Sequence, residues 1–215
     1  PIVGLVGSNN LSTAIIILGI GVILIFAASP RYIQFATLGG AGIGFIVIFL
    51  AAESYRLERL AIWREPEKYE KGFQTIQGLY AIGSGGLFGR GIGNSIQKLG
   101  FVPEAQNDMI FSIICEEMGL TGAIILILIF ALLLWRLCVI SMNCQELSGA
   151  MIAAGIMGHL AIQVILNIAV VTNTIPNTGI TLPFISYGGT SIVFLLGEMG
   201  LALNVSRQKN NPPTR

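Results

Sequence analysis

Long apolar runs separated by short polar interruptions dominate the pattern of the chain. A helix needs about 20 consecutive apolar residues to cross a bilayer, and several runs approach or exceed that length. They cover residues 11–28, 35–52, 109–140, 147–172 and 187–205. The pattern therefore predicts an all-α fold: a polytopic transmembrane helix bundle of about five spans, forming a single membrane domain over residues 1–215.

One segment, residues 53–108, breaks this pattern. It holds seven of the twelve Lys and Arg residues and seven of the eleven acidic residues. Because charged side chains are costly in hydrocarbon, the segment is predicted to form a large loop outside the bilayer. Its first part, residues 54–70, has the composition of a surface helix that ends near Pro66, and residues 75–82 are apolar enough to lie at the membrane interface.

The positions of Lys and Arg predict the orientation of the spans. On one side, residues 29–34, 136–146 and 207–215 carry Arg31, Arg136, Arg207, Lys209 and Arg215. On the other side, the short segments 1–10 and 173–186 carry no Lys or Arg. The positive-inside rule places the first set in the cytoplasm, including a cytoplasmic tail at 207–215. The cations of the large loop oppose this assignment, but long loops contribute little to the rule, so residues 53–108 are predicted to be extracytoplasmic.

Composition supports an integral membrane protein. The chain is 53% hydrophobic and 11% charged, with a mean hydropathy of +0.78, whereas soluble domains carry about 25% charged residues. A net charge of +1 excludes the strongly basic surface that nucleic-acid binding requires. The three cysteines lie in or beside apolar runs without metal-ligand spacing, so no metal site is predicted from them.

Glycine is concentrated in residues 82–117, which contain seven glycines and end in the third apolar run. Glycine tolerates positive φ and close approach, so a tight, shaped loop is predicted. Asp108 lies where that apolar helix begins. It has two interpretations: an N-terminal helix cap that interacts favourably with the helix dipole, or a carboxylate that performs chemistry at the membrane surface.

The third span is longer than a bilayer requires, so its first turns are expected in the headgroup region, with Glu116 and Glu117 near water. Asp108, Ser112 and Glu116 are spaced to share one helical face. Glu116 would lie about 12 Å further along the axis, which is too far for two carboxylates acting on one bond at roughly 6.5–9.5 Å. If Asp108 is catalytic, it is therefore expected to act alone as the carboxylate, or with groups from elsewhere.

Polar residues also interrupt the fourth and fifth spans. His159 and Glu198 are predicted to lie at similar depth and to pair, directly or through Gln163, because intramembrane ionisable groups usually face partners. The pair is either a structural hydrogen bond between helices or part of a polar path for a headgroup or a proton. Asn167 is expected to bond across helices. The Pro- and Gly-rich segment 173–187 is a second functional candidate, since irregular backbone at a membrane must be buried or line a wet cavity.

Three motifs together resemble one protein family. The sequence AIGSGGLFGRGIGNSIQKLGFVPEAQNDMIFSIICEEMG resembles the large extracytoplasmic loop of the SEDS family (shape, elongation, division and sporulation). TIPNTGITLPFISYGGTS resembles its C-terminal signature, and NNLSTAIII resembles a motif of the division and sporulation branch. The resemblance covers nearly the whole chain and corresponds to the C-terminal half of the family, its sixth to tenth spans.

This resemblance implies a function and partners. Family members are multi-pass proteins of the bacterial plasma membrane that polymerise lipid II into peptidoglycan strands. They work with a class B penicillin-binding protein and other division or sporulation membrane proteins. Their essential carboxylate matches Asp108, the candidate general base. The alternatives are a lipid II flippase and a non-catalytic membrane scaffold of the cell-wall machinery.

Further candidates follow from the resemblance and from charge. The transfer that the resemblance implies expels a lipid pyrophosphate, whose negative charge needs cations. Basic residues of the large loop are candidates for binding it: Arg56, Arg59, Arg90 and Lys98. The matching motifs add four candidate substrate-binding positions: Gln106, Ser186, Gly188 and Gly189. No cofactor is certain, although a divalent cation, Mg or Mn, is compatible with the chemistry.

The sequence departs from the family signature at two positions. Asn173 stands where Gly, Thr or Arg is common, and Asn177 stands where an apolar residue is common. Because asparagine tolerates left-handed backbone, the change at Asn173 is expected to be harmless.

Overall fold

The computed structural model describes residues 2–28, 37, 39–40, 42, 44, 54–99, 102–103 and 105–208, with the side chains of 2, 8–9, 11, 54–57 and 208 left out. The predicted second span at 35–52 therefore lies almost entirely outside the described residues. So do Arg31, the tail from Lys209 onward and the side chain of Arg56.

Helices form all the regular structure in the described part of the chain, which confirms the all-α prediction. The α-helices are α1 (Ile2–Asn9), α2 (Leu11–Ala28), α3 (Ser54–Arg64), α4 (Phe73–Gly85), α5 (Ile110–Asn143), α6 (Leu147–Val171) and α7 (Gly189–Gln208). Short 3₁₀ turns lie at Pro66–Lys68, Glu70–Gly72 and Gln97–Leu99. Helix α3 ends just before Pro66, as its missing N–H dictates.

Four of the predicted spans correspond to α2, α5, α6 and α7 within a few residues. Among the described helices, α5, α6 and α7 are long and apolar enough to cross a membrane, whereas α2 is shorter. The predicted polar connections were too long. Arg136 lies within α5 and Arg207 within α7, so the connection predicted at 136–146 shrinks to residues 144–146.

The chain divides into two compact units. The first comprises Pro1–Phe49, Ala131–Ile162 and Gly189–Arg215, and the second comprises Leu50–Phe130 and Gln163–Gly188. In the first unit, α2 packs closely on α6. The side chain of Ile23 lies so near Gly158 that a Cβ at this glycine would collide with it. Small residues at such crossings allow membrane helices to approach.

The second unit has its own apolar core. This core joins residues from the loops, from the first part of α5 and from the end of α6: Val102, Met109, Phe111, Ile113, Cys115, Ala123, Phe130, Val164, Val171 and Leu182. The connection before α5 and the connection between α6 and α7 thus contribute to one packed cluster, which fixes their position.

Helix α5 is broken at Gly119, where φ is 67° and ψ is −166°. Residues 110–118 therefore form a separate short helix, and residues 120–143 form the long one. At 1.5 Å per residue, the long part measures about 36 Å, which is sufficient to cross a bilayer. The break explains why this apolar run of 34 residues exceeds the length that a membrane requires.

Candidate active site

The backbone around Asp108 is held by three hydrogen bonds. The carbonyls of residues 106, 107 and 108 accept bonds from the Tyr187 N–H at 2.8 Å, the Ser186 hydroxyl at 2.6 Å and the Asn167 amide at 2.7 Å. Three consecutive carbonyls are thus bonded to the end of α6 and to the segment before α7. The two motifs that are far apart in sequence therefore meet at Asp108.

Two of the side chains that bond to these carbonyls, those of Asn167 and Ser186, also bond to backbone groups of the irregular segment 173–187. The Asn167 amide, which is 0% exposed, donates a second bond to the Ile180 carbonyl at 2.7 Å. The Ser186 hydroxyl accepts a bond from the Leu182 N–H at 2.7 Å. Asn167 was expected to bond between helices, but it bonds to two loop carbonyls instead. Ser186 is buried. Its hydroxyl bonds to the backbone at Asn107 and at Leu182, so in this structure it holds two backbone segments together.

The Asp108 carboxylate is bonded by another element. Its Oδ1 accepts a bond from Gln74 Nε2 of α4 at 3.2 Å, and the side chain is 8% exposed. The side-chain oxygen Oε1 of Gln74 in turn accepts a bond from Asn177 Nδ2 at 3.4 Å. Asn177 Oδ1 accepts the Gly179 N–H at 2.9 Å. A continuous chain of amide groups thus orients the carboxylate, which lies two residues before α5 begins.

Asp108 lines a cavity of about 300 Å³ in the second unit. The other lining residues are Glu58, Arg59, Ile62, Trp63, Lys71, Gln74, Thr75, Asn177, Thr178 and Gly179. Two cations and two carboxylates therefore face one small space. Lys71 Nζ lies 3.0 Å from Glu58 Oε1, and Arg59 Nη1 donates to the Asn177 carbonyl at 3.3 Å. Of the predicted cations with described side chains, Arg59 is the one that this cavity contains.

Sequence reasoning missed four cavity residues that carry chemistry: Glu58, Trp63, Lys71 and Gln74. A usable signal was present, because Arg59 and Trp63 are four residues apart and share a helical face. The Trp63 indole N–H donates to the Asn173 carbonyl at 2.9 Å, so this face of α3 contacts the irregular segment. Lys71 was counted only as one charge among seven, since nothing in the sequence showed which cations converge.

Asn173 has a φ of 55°, in the left-handed region that asparagine tolerates better than most residues. This confirms the expectation that the substitution at this position is compatible with the backbone. Phe184 also has a positive φ, of 63°, which is strained for an aromatic residue. Both residues shape the segment that bonds to Asp108.

Arg90 and Lys98 do not line the Asp108 cavity. Arg90 Nη1 lies 3.7 Å from Glu116 Oε1, and Lys98 Nζ lies 2.6 Å from Glu117 Oε1. The expectation that Glu116 lies near water was wrong, since its side chain is 1% exposed. The glycine-rich loop wraps around this carboxylate and excludes water from it.

Three further predicted substrate-binding positions, Gln106, Gly188 and Gly189, also lie outside the cavity lining. Gln106 is exposed and lines, with Lys98, a separate cavity of about 570 Å³. Gly189 is the first residue of α7, and Gly188 precedes it. Arg56 lies on α3, and the position of its side chain is outside the described set.

The chain matches a known protein family over nearly its whole length. The model of a family described as "Cell cycle protein", which groups FtsW, RodA and SpoVE, matches residues 1–211. The chain belongs to the FtsW, RodA and SpoVE family. With its long apolar helices, it is a multi-pass membrane protein of all-α fold.

Relatives within the FtsW, RodA and SpoVE family are similar over most of the chain. It is 45% identical over 201 residues to Stage V sporulation protein E of Bacillus subtilis, covering 92% of this chain and 55% of that protein. It is 39% identical to the probable peptidoglycan glycosyltransferase FtsW of Trichlorobacter lovleyi, covering 92% of this chain and 52% of that protein. The chain thus spans about half the length of the curated relatives it matches.

Solved structures show the same family fold. A structure described as a peptidoglycan synthase complex that coordinates polymerization and crosslinking matches with a TM-score of 0.76 and 27% identity, covering 98% of this chain and 60% of that one. The Thermus thermophilus rod shape determining protein RodA matches with a TM-score of 0.60 and 28% identity, covering 97% of this chain and 54% of that one.

The polar residues in the membrane helices of this family member form a contact in the first unit. His159 Nδ1 of α6 lies 2.9 Å from Glu198 Oε1 and 3.1 Å from Oε2 of α7. Both side chains are partly exposed. The contact links two helices at the positions where the sequence predicted a pair.

Proposed function

We propose that this chain supplies the catalytic base and part of the substrate cavity of a peptidoglycan glycosyltransferase that polymerises lipid II. The observation that carries the proposal is the Asp108 carboxylate, oriented by Gln74 on the wall of a cavity that also holds Arg59 and Lys71. The names of the relatives as peptidoglycan glycosyltransferases support this activity. The proposal places the segment 53–108 on the extracytoplasmic side, where the large loop is predicted to lie.

Asp108 is assigned to the acceptor. In the proposed reaction, a hydroxyl oxygen of the acceptor sugar forms a bond to the anomeric carbon of the donor, on the face opposite the leaving group. The bond from that carbon to the pyrophosphate oxygen breaks, and the electron pair leaves with the lipid pyrophosphate. The carboxylate takes the hydroxyl proton, a contribution of about 10²–10⁴ in rate. Fixing the carboxylate by both its backbone and its side chain keeps it oriented for that proton.

The leaving group is assigned to the cations. A departing pyrophosphate carries its own charge and needs positive groups rather than a proton. Arg59 and Lys71 line the same cavity as Asp108, and a guanidinium can bind phosphate oxygens in a bidentate manner. Lys71 is already 3.0 Å from Glu58, so it would exchange this carboxylate for phosphate when the substrate binds.

The cavity around Asp108 offers a metal ion two carboxylates, those of Asp108 and Glu58. No group of three or more His, Cys, Asp and Glu side chains within the residues that the structure describes is placed to hold one. Glu58, the other carboxylate in the cavity, contacts Lys71. We therefore assign no step to a metal; Mg or Mn would have to enter with the pyrophosphate of the substrate.

We further propose that the whole protein works beside an enzyme that crosslinks the strands. A matching solved structure is described as a complex coordinating polymerization and crosslinking. The family resemblance identifies the crosslinking enzyme as a class B penicillin-binding protein. The nascent glycan strand would then pass from the Asp108 cavity to this partner.

The test is Asp108→Asn in the full-length gene product that contains this chain, assayed with purified lipid II. Asparagine keeps the shape of the side chain and removes the base, so polymerisation should fall by about 10²–10⁴ while lipid II binding persists. The control is Glu67→Gln, which removes an exposed carboxylate of the same loop outside the cavity and should leave the rate unchanged. Polymerisation by Asp108→Asn at the parental rate would refute the base assignment.

A lipid II flippase remains the alternative, and the contact of His159 with Glu198 within candidate membrane helices favours it. A liposome assay that scores headgroup translocation and polymer separately distinguishes the two. Translocation that requires His159, without polymer formation, would support the flippase. Absence of both activities in the full-length protein would support a scaffold.

A further inference from the structure

Five large apolar side chains project from the glycine-rich loop of residues 86–99. They are Leu87, Phe88, Ile92, Ile96 and Leu99. Phe88 is 80% exposed and Ile92 is 81% exposed. Clusters of exposed apolar side chains on one loop mark sites of interaction with a partner or a membrane.

This loop is docked firmly on the broken region of α5. The N–H groups of Leu120 and Thr121 donate to the carbonyls of Gly86 and Leu87 at 2.9 and 3.1 Å. From the other side, the N–H groups of residues 90 and 91 donate to the carbonyls of residues 116 and 117 at 3.0 and 2.9 Å. The break at Gly119 leaves these α5 groups available to the loop. The projecting side chains are therefore presented by a fixed backbone.

The docking point is where the membrane-crossing part of α5 begins. Leu87 is bonded to Thr121, in the first turn of residues 120–143. That turn and the ones after it expose Leu120, Ile124 and Leu128, on a helix that is mostly exposed along its apolar length. The loop is thus docked beside exposed apolar side chains at the start of a candidate membrane helix.

The charges at the base of the loop suit the same position. Arg90 and Lys98 carry apolar stems and cationic ends, and such residues at a membrane boundary keep their charge at the headgroups. Both lie near the acidic pair of α5, with Lys98 Nζ 2.6 Å from Glu117. Each cation is paired with a carboxylate of α5, so the charges at the base of the loop are compensated where the loop is docked.

We propose that the loop of residues 86–99 inserts its apolar side chains into the leaflet that α5 enters at Leu120. Segments of this kind lie about 5–10 Å into the boundary between headgroups and acyl chains. The glycine-rich loop would then be a membrane-seated element, and the bilayer would hold it beside the Asp108 segment. The proposal does not depend on the glycosyltransferase assignment, because it concerns where the loop lies and not what the cavity does.

The experiment measures the depth of single spin labels in the full-length protein. The variants Phe88→Cys and Ile92→Cys are made in a background with Cys115→Ala, Cys138→Ala and Cys144→Ala. Each is labelled with a nitroxide in nanodiscs of phosphatidylethanolamine and phosphatidylglycerol. The accessibility of the label to oxygen, which concentrates in lipid, is compared with its accessibility to a water-soluble nickel chelate. The matched control is Glu67→Cys, an exposed polar position outside the loop.

Insertion predicts that both loop labels collide preferentially with oxygen at a depth of about 5–10 Å, whereas the control label collides preferentially with the nickel chelate. Hydrogen exchange at residues 95–97 must match that of the parent protein, showing that the loop is still docked. Loop labels as accessible to the chelate as the control would overturn the proposal. Labels shielded from both reagents would also overturn it, because they would show that protein covers the loop.

Discussion

Glu116→Ala tests whether one buried carboxylate holds the glycine-rich loop. Glu116 accepts hydrogen bonds from the Ser95 hydroxyl at 2.5 Å and from the N–H groups of Ile96 and Gln97 at 3.2 and 3.3 Å. Its partner Arg90 lies 3.7 Å away. Removing the carboxylate leaves three donors without this acceptor in a buried position.

The magnitude follows from these contacts. Hydrogen bonds to a charged group contribute about 1.5–3 kcal/mol each, so three would sum to roughly 5–9 kcal/mol. The loop can open and rehydrate its amides, so the measured loss should be smaller, near the ~3–5 kcal/mol found when one partner of a buried charged pair is removed. Each 1.4 kcal/mol is tenfold in an equilibrium constant, so local opening should increase by roughly 10² to a few times 10³.

Hydrogen exchange of the amides of Ile96 and Gln97 measures this opening directly. The control is Glu117→Gln, on the next residue, whose carboxylate contacts Lys98 at 2.6 Å and accepts the Ser95 N–H at 3.4 Å. Glutamine keeps an acceptor for that N–H and loses only the ion pair with the partly exposed Lys98, which contributes about 0–1 kcal/mol, so exchange should rise by less than about fivefold in the control. If Glu116→Ala accelerates exchange no more than Glu117→Gln, the carboxylate does not hold the loop and the reasoning fails.

Three further predictions concern packing and polar contacts, and each is measured by thermal unfolding in detergent. Gly85→Ala should destabilise by about 1–3 kcal/mol, because the added Cβ would meet the Cys115 carbonyl, whereas Gly83→Ala on the same helix meets open space and should stabilise by up to ~1 kcal/mol; equal effects would contradict this packing. Asn167→Ala should lower the free energy of unfolding by about 2–5 kcal/mol, since two buried carbonyls lose their donor. Asn167→Asp should lower it further, since a carboxylate presents only acceptors to those carbonyls. A double-mutant cycle of His159→Ala and Glu198→Ala should give a coupling of ~0.6–1.7 kcal/mol, and zero coupling would show that their contact contributes nothing.

The apolar pattern predicted four described helices within a few residues, because each run must satisfy its own backbone hydrogen bonds in lipid. Pro66 predicted the end of α3 for a similar local reason. The break at Gly119 was not predictable in this way. A glycine inside an apolar run is compatible with a continuous helix. Here hydrogen bonds from residues 86–91 take up backbone groups on both sides of Gly119 and stabilise the break.

The candidate site shows the same division. Asp108 was found from its motif and its place before an apolar helix, and Arg59 from its charge. Glu58, Lys71 and Gln74 were not selected, because their convergence depends on how α3, the 3₁₀ turns and α4 fold together. Arg90 and Lys98 have the same charge as Arg59, yet α5 carboxylates hold them elsewhere.

The sequence alone determined that this chain crosses a membrane as helices and that Asp108 lies just before one of them, since hydrophobic length and local backbone preferences act over neighbouring residues. The tertiary structure alone decided that Glu116 is buried, that Asn167 and Ser186 bond to the backbone around Asp108, and which cations share its cavity. The bonds to Glu116, to the backbone around Asp108 and from Arg59 join residues 19 to 118 positions apart, and no local pattern specifies which distant partner a buried polar group will find.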